Sequence, residues 1–140
     1  MATYNKVSDY AEQLNKAVHN WSTHTFKAAL TNTAPTAASA TFTDITEIGA
    51  GGGYTAGGMT LDTVTLTETT GTAKVTIADE VLTASASVGP FRYVYIYNDT
   101  ATSPADAGVC YFDYGSAITL ANGESFTIDF DATNGLWQLV

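Results

Sequence analysis

The two histidines and the single cysteine are the side chains best suited to metal or nucleophilic chemistry, but their spacing supports neither. His19 and His24 lie five positions apart around Trp21, whereas two helical metal ligands on one face are four apart. Cys110 lies in the run 108–112, which is typical of a buried strand, so we expect a small core side chain. No Gly-x-Ser-x-Gly motif is present. The sequence therefore predicts no catalytic residue, and we expect no enzyme.

Two further segments carry residues that could hold a ligand. The glycine-rich run 49–58 lacks the lysine of a phosphate-binding loop and leads into a threonine-rich strand, which predicts a connector. Segment 129–135 places Asp129, Asp131 and Asn134 close together, as a calcium loop does, but it lacks the distal glutamate. We interpret it as a strand followed by a turn. The sequence therefore predicts no metal and no cofactor.

The composition favours β-structure. The chain has 140 residues, of which 45% are hydrophobic and only 14% are charged, and 24 of them are threonine. Threonine is β-branched and suits a pleated, half-exposed surface. A chain of this length usually forms one domain, so we expect a single β domain spanning residues 1–140.

The charge argues against two classes of partner. The net charge is -9, and the five basic residues are scattered along the chain. Nucleic acids and anionic membranes require clustered cations, so we expect neither as a partner. The start of the sequence lacks the apolar region of a secretory signal, and no apolar run approaches the roughly 18 residues of a membrane span. We therefore expect synthesis in a reducing cytoplasm.

Periodicity predicts one N-terminal helix and a β-rich body. Apolar residues from Val7 to Trp21 recur at the spacing of one helical face, which predicts a helix over about 7–20. Residues 25–140 contain about eight short alternating segments separated by turn residues, beginning with a strand at 25–30. The Asn122-Gly123 pair predicts a hairpin between Leu120 and Phe126, and we expect loops at 31–40 and 98–107. This spacing is typical of an antiparallel β-sandwich or barrel, and a jelly roll fits the strand count best.

Aromatic residues are concentrated in the C-terminal half. They are Tyr93, Tyr95, Tyr97, Tyr111, Phe112, Tyr114 and Trp137. Tyrosines on strands commonly lie at the edge of a core, and tyrosine and tryptophan are also favoured at protein interfaces. The sequence leaves both interpretations open.

Seven stretches of the sequence resemble a family of small virion structural proteins of tailed bacteriophages, of the capsid cement or decoration kind. The stretches are 29–35, 53–58, 89–93, 97–100, 113–116, 121–127 and 130–135. The resemblance rests on turns and covers almost the whole chain. It implies a jelly roll that binds the major capsid protein across capsomer junctions as a homodimer or trimer, on the capsid exterior of a virion assembled in the host cytoplasm.

Two alternatives remain beside a cement protein: a tail or neck component of the virion, and a carbohydrate-binding module on the virion surface that stacks sugars on residues such as Trp137. For a partner interface we expect the N-terminal helix and the two irregular loops at 31–40 and 49–58 to supply the contacts. The interface residues so predicted are Tyr10, Leu14, Trp21, Pro35, Tyr54 and Trp137.

Overall fold

Strands dominate the computed structural model, which describes residues 2–140. Strand residues make up 49% of the chain and helical residues 6%. The helical elements are α1 (Tyr10–Asn15) and a 3-10 turn (Phe42–Asp44). The strands are β1 (Thr3–Lys6), β2 (Phe26–Thr31), β3 (Met59–Thr60), β4 (Thr65–Thr69), β5 (Thr72–Thr76), β6 (Glu80–Thr83), β7 (Val88–Thr102), β8 (Ala105–Leu120), β9 (Ser125–Ile128) and β10 (Trp137–Leu139).

A five-stranded antiparallel sheet with the order β1-β8-β7-β2-β3 forms the centre of the fold. Its middle is the long hairpin of β7 and β8, in which Tyr95 pairs with Tyr111 and Ile96 with Cys110. Tyr95, Ile96 and Tyr97 are consecutive and all buried. Since consecutive side chains of a strand point to opposite faces, both faces of this sheet are covered.

Two smaller antiparallel sheets, β10-β5-β4 and β6-β9, cover one face of the central sheet. The ring of Phe91 on β7 contacts Phe126 on β9, with centroids 5.0 Å apart. The ring of Phe112 on β8 lies 6.3 Å from Phe130, just after β9. These contacts, with Val75 of β5 fully buried, place the main hydrophobic core between the two layers.

A long connection, residues 32–58, covers the opposite face. The Tyr95 hydroxyl donates to the carbonyl of Ser39 at 2.7 Å, and the Tyr97 hydroxyl donates to the carbonyl of Gly57 at 2.6 Å. The ring of Phe42 stacks on Tyr97 at 4.6 Å. The tyrosines of β7 therefore pack beneath this connection and hold it with their hydroxyl groups.

The N-terminal helix is shorter than predicted, and a strand precedes it. Helix α1 covers Tyr10–Asn15 rather than 7–20. The helix ends because Ala17 adopts a left-handed conformation, with a φ of 61°. The Ala17 amide donates to the Leu14 carbonyl, and the Val18 amide donates to the Gln13 carbonyl. These two bonds are those of a Schellman cap. Before the helix, β1 pairs with β8.

The strand arrangement also differs from expectation. Ten strands form sheets of five, three and two, so the mainly β, antiparallel prediction is confirmed, whereas a jelly roll is not. Segment 98–107, expected as a loop, forms the end of the β7-β8 hairpin, in which Thr102 pairs with Ala105 around a turn at Ser103 and Pro104. Within residues 2–140, no helix is long and apolar enough to cross a membrane.

Substituting Gly108 tests the packing of the tyrosine face. A Cβ at this position would overlap the Tyr95 hydroxyl and lie 2.9 Å from its Cζ. We expect Gly108→Ala to lower the free energy of unfolding by about 1–3 kcal/mol, as overpacking does, in urea titrations followed by circular dichroism. Gly49→Ala is the matched control because, apart from its two chain neighbours, no heavy atom of the described residues lies within 4 Å of the new Cβ. Equal stability of the two variants would contradict this packing.

Candidate functional site

One side of the layered fold is open and carries three adjoining grooves, which together we term the open cleft. The β9 groove, of about 230 Å³, lies between the β7-β8 hairpin and β9. The middle groove, of about 210 Å³, shares Phe112 and Asp129 with it. The β10 groove, of about 510 Å³, shares Tyr4 with the middle groove and lies between β1, α1 and β10. The cleft therefore runs along the whole open side.

Apolar side chains are exposed along this cleft. Tyr4 is 39% exposed, Tyr114 51% and Leu139 60%. The rings of Phe112, Phe126 and Trp137, which lie between them, are half-buried. Contiguous apolar surface of this kind marks interaction sites in soluble proteins. The open cleft is therefore the strongest candidate for a binding surface.

Aromatic rings contact one another edge to face within the cleft. The centroids of Tyr4 and Phe112 are 5.6 Å apart, and those of Tyr114 and Phe126 are 6.1 Å apart. Such pairs stabilise each other beyond simple burial. The exposed rings therefore rest against rings that are themselves packed in the core, which favours a preformed site.

A bulge in β8 presents Tyr114. Phe91 pairs with Ile118 and Tyr93 with Asp113, so four residues of β8 lie opposite one of β7. Asp113 accepts two hydrogen bonds from Arg92, at 2.7 and 2.9 Å, and one from the amide of Gly115 at 2.8 Å. Gly115 has a φ of 99°, which glycine adopts without strain. This ion pair fixes the base of the bulge and aims Tyr114 at the β9 groove.

Carboxylates flank the β9 and middle grooves. Asp129 and Asp131 line them, and no lysine, arginine or histidine does. Hydrogen bonds from the backbone and side chain of Asn134 lower the pKa of Asp131, so it stays ionised. Asp131 also accepts from the amide of Thr133 at 2.8 Å, as expected for a turn. Among residues 2–140, Asp129 forms no ion pair.

The β10 groove brings together three of the predicted interface residues. Tyr10, Leu14 and Trp137 all line it. Leu14 and Trp137 are half-buried, so each retains surface. Tyr10 is only 4% exposed, and its ring contacts Trp137 at 6.3 Å. An interface role for Leu14 and Trp137 stays a prediction.

The other three predicted interface residues lie inside the protein. Trp21 stacks on Phe26 at 3.7 Å and donates its Nε1–H to the Tyr10 hydroxyl. Pro35 is buried. Tyr54 is buried; its hydroxyl accepts from the Leu30 amide and donates to a carboxylate oxygen of Glu47. These side chains support the fold and offer little surface to a partner, because the loops that carry them fold back onto the central sheet.

The prediction omitted Tyr4, Phe126 and Leu139. Tyr4 lies in a strand of four residues with three polar neighbours, which gives no periodic signal. Phe126 alternates with Ile128, a pattern typical of a core strand. Tyr114 and Phe112 do belong to the aromatic surplus seen in the sequence, which was the one available signal for this site.

A buried polar cluster joins the two histidines. Asn98 accepts from the Thr100 amide through Oδ1, and its Nδ2 lies 3.2 Å from the carbonyl oxygen of Val18, 3.3 Å from Nδ1 of His19 and 3.0 Å from Nδ1 of His24. Nε2 of His19 has no hydrogen-bond partner among residues 2–140, and no group of three or more potential metal ligands occurs there.

Burial also determines the protonation of His19 and Cys110. Burial, with a smaller contribution from the nearby His24, lowers the pKa of His19 from 6.5 to about 4. Burial raises the pKa of the Cys110 thiol, which has no exposed surface. The cysteine is thus a core side chain, as predicted, and remains a thiol at neutral pH.

The pKa of His19 predicts acid-sensitive stability. Because the folded state binds this proton more weakly than the unfolded state, its contribution is complete above about pH 6.5 and is lost as the pH falls towards 4. We expect the free energy of unfolding to fall by about 1–2 kcal/mol between pH 7 and pH 5. His19→Phe should be less stable at pH 7 but show a smaller decrease. Equal decreases in both proteins, measured by urea titration, would contradict the assignment.

Comparison with known proteins gives no match: neither a protein-family model, nor a curated protein sequence, nor a solved structure is similar to this chain. An assignment of function therefore depends on the sequence and on the residues that line the open cleft.

Proposed function

We propose that this protein is a capsid cement protein of a tailed bacteriophage, which binds the outside of the major capsid protein shell across capsomer junctions and stabilises it. The open cleft is the observation that carries the proposal. It exposes Tyr4, Tyr114 and Leu139 on one side of the protein. Protein interfaces are enriched in tyrosine and tryptophan around an apolar centre, which is the composition of this side.

The architecture suits a clamp that holds without changing shape. The exposed rings lie on strands of a packed sheet, and the bulge that carries Tyr114 is fixed by the Arg92–Asp113 ion pair. A preformed surface loses little conformational entropy on binding. A protein that binds only the assembled shell stabilises it by mass action.

The remaining features of the proposal come from the sequence. The resemblance to phage virion proteins supports the choice of a capsid as partner, and the net charge of -9 suits the exterior of a shell that encloses DNA. A homodimer or trimer would let one particle bridge neighbouring capsomers. The jelly-roll topology stays a prediction, and the cleft does not depend on it. A tail or neck position remains the alternative within the virion.

A carbohydrate-binding module on the virion surface is a second candidate. The specific observation in its favour is the pairing of exposed rings with carboxylates, since Tyr114 and Asp129 line the same groove. Sugars stack on aromatic faces and donate hydroxyl protons to carboxylates. In this case the stacking residues would be Tyr114 and Tyr4 rather than Trp137, whose ring packs against Tyr10 and Trp21.

Co-sedimentation with phage capsids stripped of accessory proteins tests the proposal. We expect saturable binding at a fixed ratio to the shell subunit, and a higher temperature of capsid disruption. Leu139→Ser should weaken binding by about tenfold or more, because it removes an exposed leucine from the cleft. Val81→Ser is the matched control, since Val81 is similarly exposed (58%) but lies outside the cleft.

The outcomes separate the candidates. Equal loss of binding in both variants would contradict a role for the cleft. Failure of the wild-type protein to bind capsids would contradict the cement function. Saturable binding to an oligosaccharide array without capsid binding would favour the carbohydrate-binding module.

A further inference from the structure

The β9 groove contains an unpaired strand edge. Among the strands of residues 2–140, β9 has a single hydrogen-bonded neighbour, β6. Four consecutive residues, Phe126 to Asp129, line the groove. Because consecutive side chains of a strand point to opposite faces, a groove lined by all four faces the edge of the strand rather than one of its faces.

The phase of the β6-β9 ladder shows which backbone groups point into the groove. The pairing of Val81 with Thr127 extends in register to Ala84 with Glu124, and the Ala84 amide donates to the Glu124 carbonyl at 2.8 Å. Hydrogen-bonded and non-hydrogen-bonded pairs alternate along an antiparallel ladder. Val81 and Thr127 lie three positions along the ladder from the hydrogen-bonded pair of Ala84 and Glu124. Because three is an odd number, Val81 and Thr127 form a non-hydrogen-bonded pair. Their N–H and C=O groups point away from the partner strand.

Thr127 thus presents a free donor and a free acceptor to the groove. Neither its N–H nor its C=O has a hydrogen-bond partner within the described part of the chain, and its side chain is exposed. An unpaired edge of this kind is a template for a further strand. Extended peptides bind sheets in this way, with main-chain hydrogen bonds for affinity and side-chain pockets for specificity.

The walls of the groove define the side chains that such a strand would carry. Opposite Thr127 lie Val94, Phe112 and Tyr114, which form an apolar wall. Asp129 lies at one end of the groove without an ion-pair partner in residues 2–140. A matching segment would place an apolar side chain against the wall and a cation beside the carboxylate.

We propose that the β9 groove binds an extended, cationic polypeptide segment, which adds to the edge of β9 at Thr127, inserts an apolar side chain beside Phe112 and Tyr114, and places a lysine or arginine at Asp129. This inference deepens the proposed function and rests on it for the identity of the partner: the segment belongs to the shell protein. The chemistry of the groove is independent of that identity.

A capped peptide that alternates lysine with valine is the probe. In NMR titrations of the full chain we expect the signals of Tyr114 and Phe126 to shift and the amide of Thr127 to become protected from hydrogen exchange. A peptide that alternates glutamate with valine should bind at least about tenfold more weakly. Equal binding of both peptides, or no binding of the lysine peptide, would overturn the proposal.

Thr127→Pro removes the outward N–H without removing a bond to β6, and proline is tolerated at such an edge position. We expect it to weaken the lysine peptide about tenfold or more, because it also blocks the approach of the added strand. Val81→Pro makes the same change on the opposite edge of the sheet and should leave binding unchanged. Asp129→Lys leaves the backbone intact and should weaken binding similarly, because it replaces the carboxylate that faces the peptide cation. This variant tests the proposal even if Thr127→Pro fails to fold.

Other occupants give distinct results. Shifts of the same signals by soluble oligosaccharides but not by the lysine peptide would assign the groove to a glycan and overturn the proposal. Without peptide, protection of the Thr127 amide that increases with protein concentration would show that a second copy of the chain occupies the groove. This result would likewise overturn the proposal. Peptide binding combined with undiminished capsid binding by Thr127→Pro would exclude the shell protein as the partner, while the cement function would stand.

Discussion

The mismatch in length between the central hairpin and the sheets that cover it determines the rest of the structure. Strands β7 and β8 have 15 and 16 residues, whereas the strands of the two covering sheets have three to five. At about 3.3 Å per residue, the hairpin is about three times as long as any strand packed on it. The short sheets cover only part of the hairpin, and grooves remain beside β1 and β8. The open cleft is the consequence of this geometry.

The two faces of the hairpin are closed by different physical means. Beneath residues 32–58, the β7 tyrosines satisfy their hydroxyl groups on the carbonyls of Ser39 and Gly57. On the other face, packing is mainly between aromatic and aliphatic groups, as between Phe91 and Phe126. The first face is therefore covered by residues 32–58 of the protein itself. The second is largely apolar and incompletely covered, which is why the exposed rings of Tyr4 and Tyr114 lie along its margin.

Local periodicity predicted the individual strands better than their partners. The alternation around Phe26 predicted a strand at 25–30, and β2 covers Phe26–Thr31. The Asn122-Gly123 pair predicted a hairpin between its flanking strands, and a turn does lie there. However, β8 pairs with β7 and β1, whereas β9 pairs with β6. Partner choice depends on which apolar faces meet across the whole chain, and a local pattern does not contain that information.

The same limit explains the partial success with the site. The sequence showed a surplus of aromatic residues but not which of them remain exposed, because Tyr95 and Tyr114 lie in similar strand patterns. Tyr114 is exposed and Tyr95 is buried because of the bulge at Asp113 and the short length of β9, which covers this side of the sheet. Both are tertiary features. Similarly, the irregular sequence around Tyr54 predicts a loop that contacts a partner, whereas the Tyr54 hydroxyl is hydrogen-bonded to Leu30 and Glu47 inside the protein.

Hydrogen–deuterium exchange of the free and capsid-bound protein shows directly whether the open cleft is the binding surface. We expect capsid binding to slow exchange in residues 3–6, 112–116, 125–131 and 137–139, which contribute to the lining of the cleft. Exchange in the β4-β5 hairpin and in residues 49–58 should not change. Protection confined to that hairpin or to residues 49–58, with the cleft segments unchanged, would contradict this expectation.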